Sequence, residues 1–276
     1  GPRNWKHIYS ECDGLQQSPV NIKTKNTTYN SLLRPFQFKG YNVTHTLPIT
    51  NNGHSAPVQV DLPTQAHISG GGLSGVYKAK QLHFHWGSAG VAGSEHTVDG
   101  ERYLMEMLLS HEGFGFVPGA SLDPLGMYTF AIVMYCHQEN NSAHRTEAEE
   151  VLWTTSSDTT CLNLTLQEFI PEPKDLALYY RYQGSLTTPP CSEIVTWTLF
   201  TKTIKLSRRQ VIHFQAIYTS LYYHGNMSMV ENFRPVNKLG ARHVFTSDSR
   251  ALVSILKCLF PAQVDLPTGI EISGGG

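Results

Sequence analysis

The chain has 276 residues, 40% hydrophobic and 16% charged, an ordinary globular composition with enough apolar material for one large domain and a sizeable core. Its formal net charge of −1 removes any electrostatic reason to expect nucleic acid or an anionic membrane surface as partner. No apolar run approaches the roughly 18 residues of a membrane-spanning helix, and Gly1-Pro2-Arg3 is no signal peptide, so the chain reads as soluble, a mature or trimmed product.

In chain order, short apolar or alternating runs recur between clusters of Gly, Pro and Asn: Pro57–Leu62, Gln81–Trp86, Tyr103–Ser110, Tyr128–Tyr135 and Ile194–Phe200. Alternation over this length predicts strands. Helical periodicity appears in two places, Arg145–Trp153 and Ser207–Leu221. In the second, Ser207 can cap and Val211, Phe214, Ile217 and Tyr218 share a face. The pattern predicts a large sheet with a few peripheral helices, in one domain over 1–260 and a tail over 261–276.

The tail repeats earlier sequence. Residues 59–72 return at 263–276 with eleven of fourteen positions identical, the differences falling at 65–67 against 269–271. A duplicated terminal segment accounts for this simply. Strand exchange is the sharper alternative, in which the second copy takes the first copy's place in a neighbouring molecule or adds to a sheet edge, giving a homo-oligomer and an assembly-forming protein.

Asn26, Asn42, Asn140, Asn163 and Asn226 each begin an Asn-x-Ser/Thr acceptor triplet. Five such triplets, with cysteines outside metal-type spacings, predict an extracellular glycoprotein, secreted or at the cell surface. The five cysteines, Cys12, Cys136, Cys161, Cys191 and Cys258, leave at least one thiol unpaired or paired outside the chain.

His83 and His85 alternate with Phe84 on one predicted strand, so they point the same way, about 6–7 Å apart, and can grip one ion. Alone, a His-x-His pair is equally two surface histidines. Its setting is more specific: Gln81-Leu82-His83-Phe84-His85-Trp86-Gly87-Ser88, then Gly93-Ser94-Glu95-His96-Thr97-Val98-Asp99, then Gly184-Ser185-Leu186-Thr187-Thr188-Pro189-Pro190. Together these segments resemble the α-class carbonic anhydrases, which hold zinc with three histidines and activate a water on it. Trp5 with Gln17–Ile22, and Asn232-Phe233-Arg234-Pro235, resemble that family's N- and C-terminal signatures; a few residues that usually precede, including an active-site tyrosine, are missing.

The resemblance implies a mainly β (α+β) single domain, a twisted, mostly antiparallel ten-stranded sheet with short peripheral helices. It points to the extracellular, often lipid-anchored vertebrate branch, so that a membrane would be reached only through a lipid anchor of the precursor. A Cys12–Cys191 disulfide is implied as well, closing a loop of nearly 180 residues and contributing roughly 5 kcal/mol on the chain-entropy account.

At the implied site, His83 and His85 are zinc ligands one and two, with Gln81 hydrogen-bonded to the first. His54 resembles the proton shuttle, with a solvated loop histidine as the alternative reading. Thr187 resembles the residue that accepts from zinc-bound hydroxide and donates to Glu95. Thr188 lines the same pocket, and Leu186 and Trp197 resemble its apolar wall.

Three positions depart from the pattern. Leu108 stands where the third histidine is required, and Ser110 and Thr129 replace valines of the carbon dioxide pocket. Glu106, which would orient the third histidine, is left for His96 or for service as a substitute ligand; His111 lies on the opposite strand face. If about 10–16 kcal/mol of zinc binding is spread over four ligands, each is worth on the order of 3 kcal/mol, about two decades of affinity. The expectation is therefore no zinc, or zinc weakly bound, and lost or greatly reduced carbon dioxide hydration in a protein that binds an unidentified protein or small-molecule ligand or serves a structural role. The opposing reading is an active, zinc-dependent carbonate dehydratase with a substitute third ligand.

Overall fold

The computed structural model describes residues 1–50, 59–61, 65–88, 91–114, 127–139, 160–207, 222–223, 227–228 and 231–251. Among them the strands of the main sheet are β1 Thr28–Tyr29, β2 Phe36–Lys39, β3 His45–Thr50, β4 Gln59–Asp61, β5 His67–Gly70, β6 Tyr77–Trp86, β7 Met105–Phe114, β8 Met127–Glu139, β9 Thr160–Leu164, β10 Tyr179–Gly184, β11 Val195–Phe200, β12 Ile204–Ser207 and β13 Phe245–Thr246.

Ten of these thirteen strands follow one path, β9-β3-β4-β6-β7-β8-β11-β10-β13-β1. The expected count of ten is thus exceeded among the described residues, and strand length is the reason. β6 pairs along one edge first with β5, at Tyr77 and Lys78, and then with β4, at Gln81 and Leu82. β8 pairs in succession with β11 and β12. A long strand can carry two short neighbours end to end, so the sheet gains strands without widening. Only β8–β11, β8–β12 and β13–β1 are parallel among the described pairs of this sheet; the rest are antiparallel.

The helical elements among the described residues are short 3-10 turns, including Pro2–His7, Ser10–Asp13 and Leu166–Phe169, apart from Arg250 and Ala251, which are α-helical. The two helices expected from periodicity lie outside the described residues, apart from Ser207, which ends β12. The second copy of the repeat and the proposed boundary at 260 lie outside them too.

Alternation sorts the side chains onto two faces. Met105, Met107 and Leu109 of β7 join Leu82, Phe84 and Trp86 of β6 in one apolar cluster. Leu108 turns the other way, into a second cluster with Val20, Ile22, Tyr182, Val195, Trp197 and Leu199. The β6–β7 register shifts between Ser110 and His111, so that Ser110 pairs with Gln81 but His111 with Ala79. Lys80 is the extra residue of this bulge. It lets odd-numbered Tyr77 and Ala79 reach the same cluster as even-numbered Leu82 and Phe84; an unbroken strand would place them on opposite faces.

A disulfide joins Cys12 and Cys191, with Cα atoms 4.9 Å apart and a sequence separation of 179. It ties the N-terminal 3-10 turns to the segment after Gly184. Replacing both cysteines by serine is expected to cost about 2–5 kcal/mol, read as a lower urea midpoint with a steeper denaturant slope, because the unlinked unfolded chain is more expanded.

Candidate functional site

The site is built on the ladder between β6 and β7. Leu108 is the direct cross-strand partner of His83, Glu106 of His85, and Ser110 of Gln81. Residues paired in this way share a sheet face, so the two imidazoles, Leu108 and Glu106 belong to one row. The His83 and His85 rings lie 5.2 Å apart, edge to face at 77°.

His85 is oriented from behind. Its Nδ1–H donates to the Asn232 carbonyl at 2.8 Å, and the Asn232 side-chain oxygen accepts the Trp86 backbone N–H at 2.9 Å. Nε2 is left as the lone-pair side and faces Glu95 Oε2 at 3.4 Å. Both atoms are buried without a hydrogen-bond partner. The other Glu95 oxygen accepts the Arg234 backbone N–H at 2.8 Å. Burial lifts the Glu95 carboxyl above its ordinary value of 4.5; the charge of Glu106 adds to the rise, while His85, the Arg234 N–H and the Thr187 hydroxyl oppose it.

His83 is held neutral. Burial, then the charge of His85, lowers its pKa to about 3. Its Nδ1 is buried without a partner, so the hydrogen bond expected from Gln81 to that nitrogen is not made. The ring stands edge to face with that of His85, and the backbone oxygen of Gln81 accepts from Ser110 Oγ at 3.3 Å.

Glu106 has both oxygens engaged. Oε2 accepts the His96 backbone N–H at 2.8 Å and Oε1 accepts His96 Nδ1–H at 2.9 Å. With its proton on Nδ1, His96 accepts the Tyr182 O–H at Nε2 (2.6 Å), and the Tyr182 oxygen in turn pairs with Ser18 Oγ at 2.9 Å. The His96 ring also lies 4.6 Å from that of Trp197. Burial alone would raise the Glu106 carboxyl, but the charge and hydrogen bonds of His96, with the charge of His85, outweigh it and hold the group below 4.5. Each oxygen already accepts one hydrogen bond, so any ligand role for Glu106 would compete with its hold on His96. His111, on the opposite face, is fully buried with Nε2 2.6 Å from the Tyr41 hydroxyl.

Leu108 is 4% exposed and shares its apolar cluster with Trp197 and Leu186. Thr187 is buried and Thr188 half-buried. The backbone register sets Thr129 across from Glu112 and sets Ala131, which sequence reading did not single out, across from Ser110. Thr129 is thus paired two residues along β7 from the partner of Ala131. His54 lies outside the described residues, as do Asn140, Asn226, Cys258 and the side chains of Cys136 and Cys161.

Sequence reading also assigned no role to residues that hold this site. Asn232 orients His85, Arg234 binds Glu95 through its backbone, and the Arg234 guanidinium donates to Gln17 Oε1, the Ser18 carbonyl and the Cys12 carbonyl. These residues sit in the two terminal signatures, whose recognisability was the available signal.

Over residues 1–248 the chain matches the family described as eukaryotic-type carbonic anhydrase. It belongs to that family. It is 37% identical over 253 residues to carbonic anhydrase 4 of Rattus norvegicus, covering 90% of this chain and 79% of the relative. Carbonic anhydrase 15 of Mus musculus is 35% identical over 290 residues, covering 100% and 89%. Carbonic anhydrase 12 of Homo sapiens is 35% identical over 266 residues, covering 92% and 72%.

The stability supplied by ionised Glu106 is present above the ordinary value of 4.5 and is lost as pH falls through its lower folded value. Glu106→Gln removes the charge from a buried pair and is expected to cost about 1–3 kcal/mol at neutral pH. Urea unfolding across pH should show that deficit closing once wild-type Glu106 is protonated.

Proposed function

We propose that this carbonic anhydrase family member is an extracellular protein in which carbon dioxide hydration is lost or strongly reduced, and that it acts as a binding or structural protein. The observation carrying this reading is Leu108 at the cross-strand position facing His83, buried among apolar side chains. An aliphatic side chain has no lone pair, so no rotamer of it can complete a ligand set.

The donor chemistry does not fit a three-imidazole zinc ion. His83 and His85 offer lone pairs, but both oxygens of Glu106 serve His96, and His111 is bonded to Tyr41 on the far face. Among the described residues no group of three His, Cys, Asp or Glu is arranged to hold a metal. One imidazole fewer than the family's three costs on the order of two decades in affinity, so any zinc kept by the pair is more weakly bound.

An extracellular setting is supported by the Cys12–Cys191 disulfide, which needs an oxidising compartment. It is also supported by the exposure of Asn26, Asn42 and Asn163, three of the five acceptor asparagines.

The test is zinc content after dialysis together with stopped-flow hydration and sulfonamide binding. Little retained zinc and hydration near the uncatalysed rate are expected; one tightly held ion per molecule with rapid turnover overturns the reading. In Leu108→His, zinc affinity is expected to rise by at least about two decades, with sulfonamide binding appearing alongside.

A further inference from the structure

We infer that residues 263–276 repeat a plug whose described parts, 59–61 and 65–72, fill a socket in the sheet, and that the tail of one molecule docks into the socket of another. This inference does not depend on the reading of the zinc site.

The socket is demanding. β4 is paired on both sides, Val60 lying between Ile49 and Leu82. β5 lies between β2 and β6, with Ile68 paired to Phe38 on one side and to Tyr77 on the other, its side chain fully buried. Gly70, Gly71 and Gly72 follow with φ of 76°, 58° and 73°, a conformation that favours glycine. A Cβ would meet the Pro35 carbonyl oxygen at 2.8 Å from Gly70, the Phe36 ring from Gly71, and the Leu32 carbonyl oxygen at 2.9 Å from Gly72. The Gly71 carbonyl also accepts from the buried Arg181 guanidinium at 3.0 Å. The socket therefore requires Ile-x-Gly-Gly-Gly, and the tail carries it as Ile272-Ser273-Gly274-Gly275-Gly276, after a copy of Gln59–Thr64 at Gln263–Thr268.

The mismatch predicts which copy wins. Ala66 is 1% exposed and its carbonyl accepts from Ala79 N–H at 2.9 Å; a Cβ on neighbouring Gly40 would lie 3.2 Å from the Ala66 Cα. The tail sets Ile270 at the place of Ala66. Overpacking of that kind lowers occupancy roughly 5- to 150-fold, the ~1–3 kcal/mol cost converted at ~1.4 kcal/mol per decade. The resident copy also has the advantage of being intramolecular. Exchange is thus a minority, concentration-driven event. Plug and socket are different surfaces, so the contact is head-to-tail and builds rings or open chains.

Sedimentation velocity of the full chain across a concentration series tests this, beside Ile270→Ala and Gly275→Val. Both substitutions leave the resident copy and the His83–His85 face untouched, so unfolding midpoints and zinc content should match wild type. Weak self-association is expected for wild type, strengthened roughly 5- to 150-fold by Ile270→Ala and abolished by Gly275→Val. A monomer at every concentration for both wild type and Ile270→Ala, or association indifferent to Gly275→Val, overturns the inference.

Discussion

β7 is hydrogen-bonded along both edges, to β6 on one side and β8 on the other, over most of its ten residues. A strand held in that way cannot slide, because a shift of one residue would drive Met105, Met107 and Leu109 out of their cluster and turn Leu108 and Glu106 into it. The identity of whatever faces His83 is therefore fixed by the ladder. No neighbouring donor can be brought up by a small adjustment, since the nearest alternatives along β7 are one residue away on the wrong face or two away and already bonded.

The same rigidity explains how the fold tolerates leucine there. An ionised carboxylate stranded in the interior would be costly. Glu106 escapes that cost because His96 satisfies both oxygens, and His96 is itself held by Tyr182, which leads on to Ser18. The polar chain closes without a third imidazole. Leu108 meanwhile adds to the apolar cluster around Trp197 and Leu199. Polar network and apolar cluster interlock on one face, each complete with the residues present.

The sheet was legible because strand alternation is a local property: Tyr77–Trp86, Met105–Phe114 and Val195–Phe200 overlap the runs picked out from sequence. Motif spacing singled out His83, His85, Glu95, His96 and Glu106, which the structure gathers around one row of the β6–β7 ladder. What sequence hid was relational. The bulge at Lys80 depends on two strands being compared, and so does the pairing of Ser110 with Ala131. The unmade bond between Gln81 and His83 depends on a ring orientation that spacing does not encode. Asn232 and Arg234 reach His85 and Glu95 across more than 130 positions of chain, a distance over which no periodicity speaks.

Cys191 lies just beyond Thr187 and Thr188, and the carbonyl of Cys12 accepts from the guanidinium of Arg234, the residue whose backbone N–H donates to Glu95. The sulfur bridge is thus a strut of the cleft wall as much as a staple of the N-terminus. Material produced in a reducing cytosol would lack that strut, and a catalytic silence recorded on it would have two indistinguishable origins. Secretory expression is the condition under which silence can be ascribed to the histidine strand.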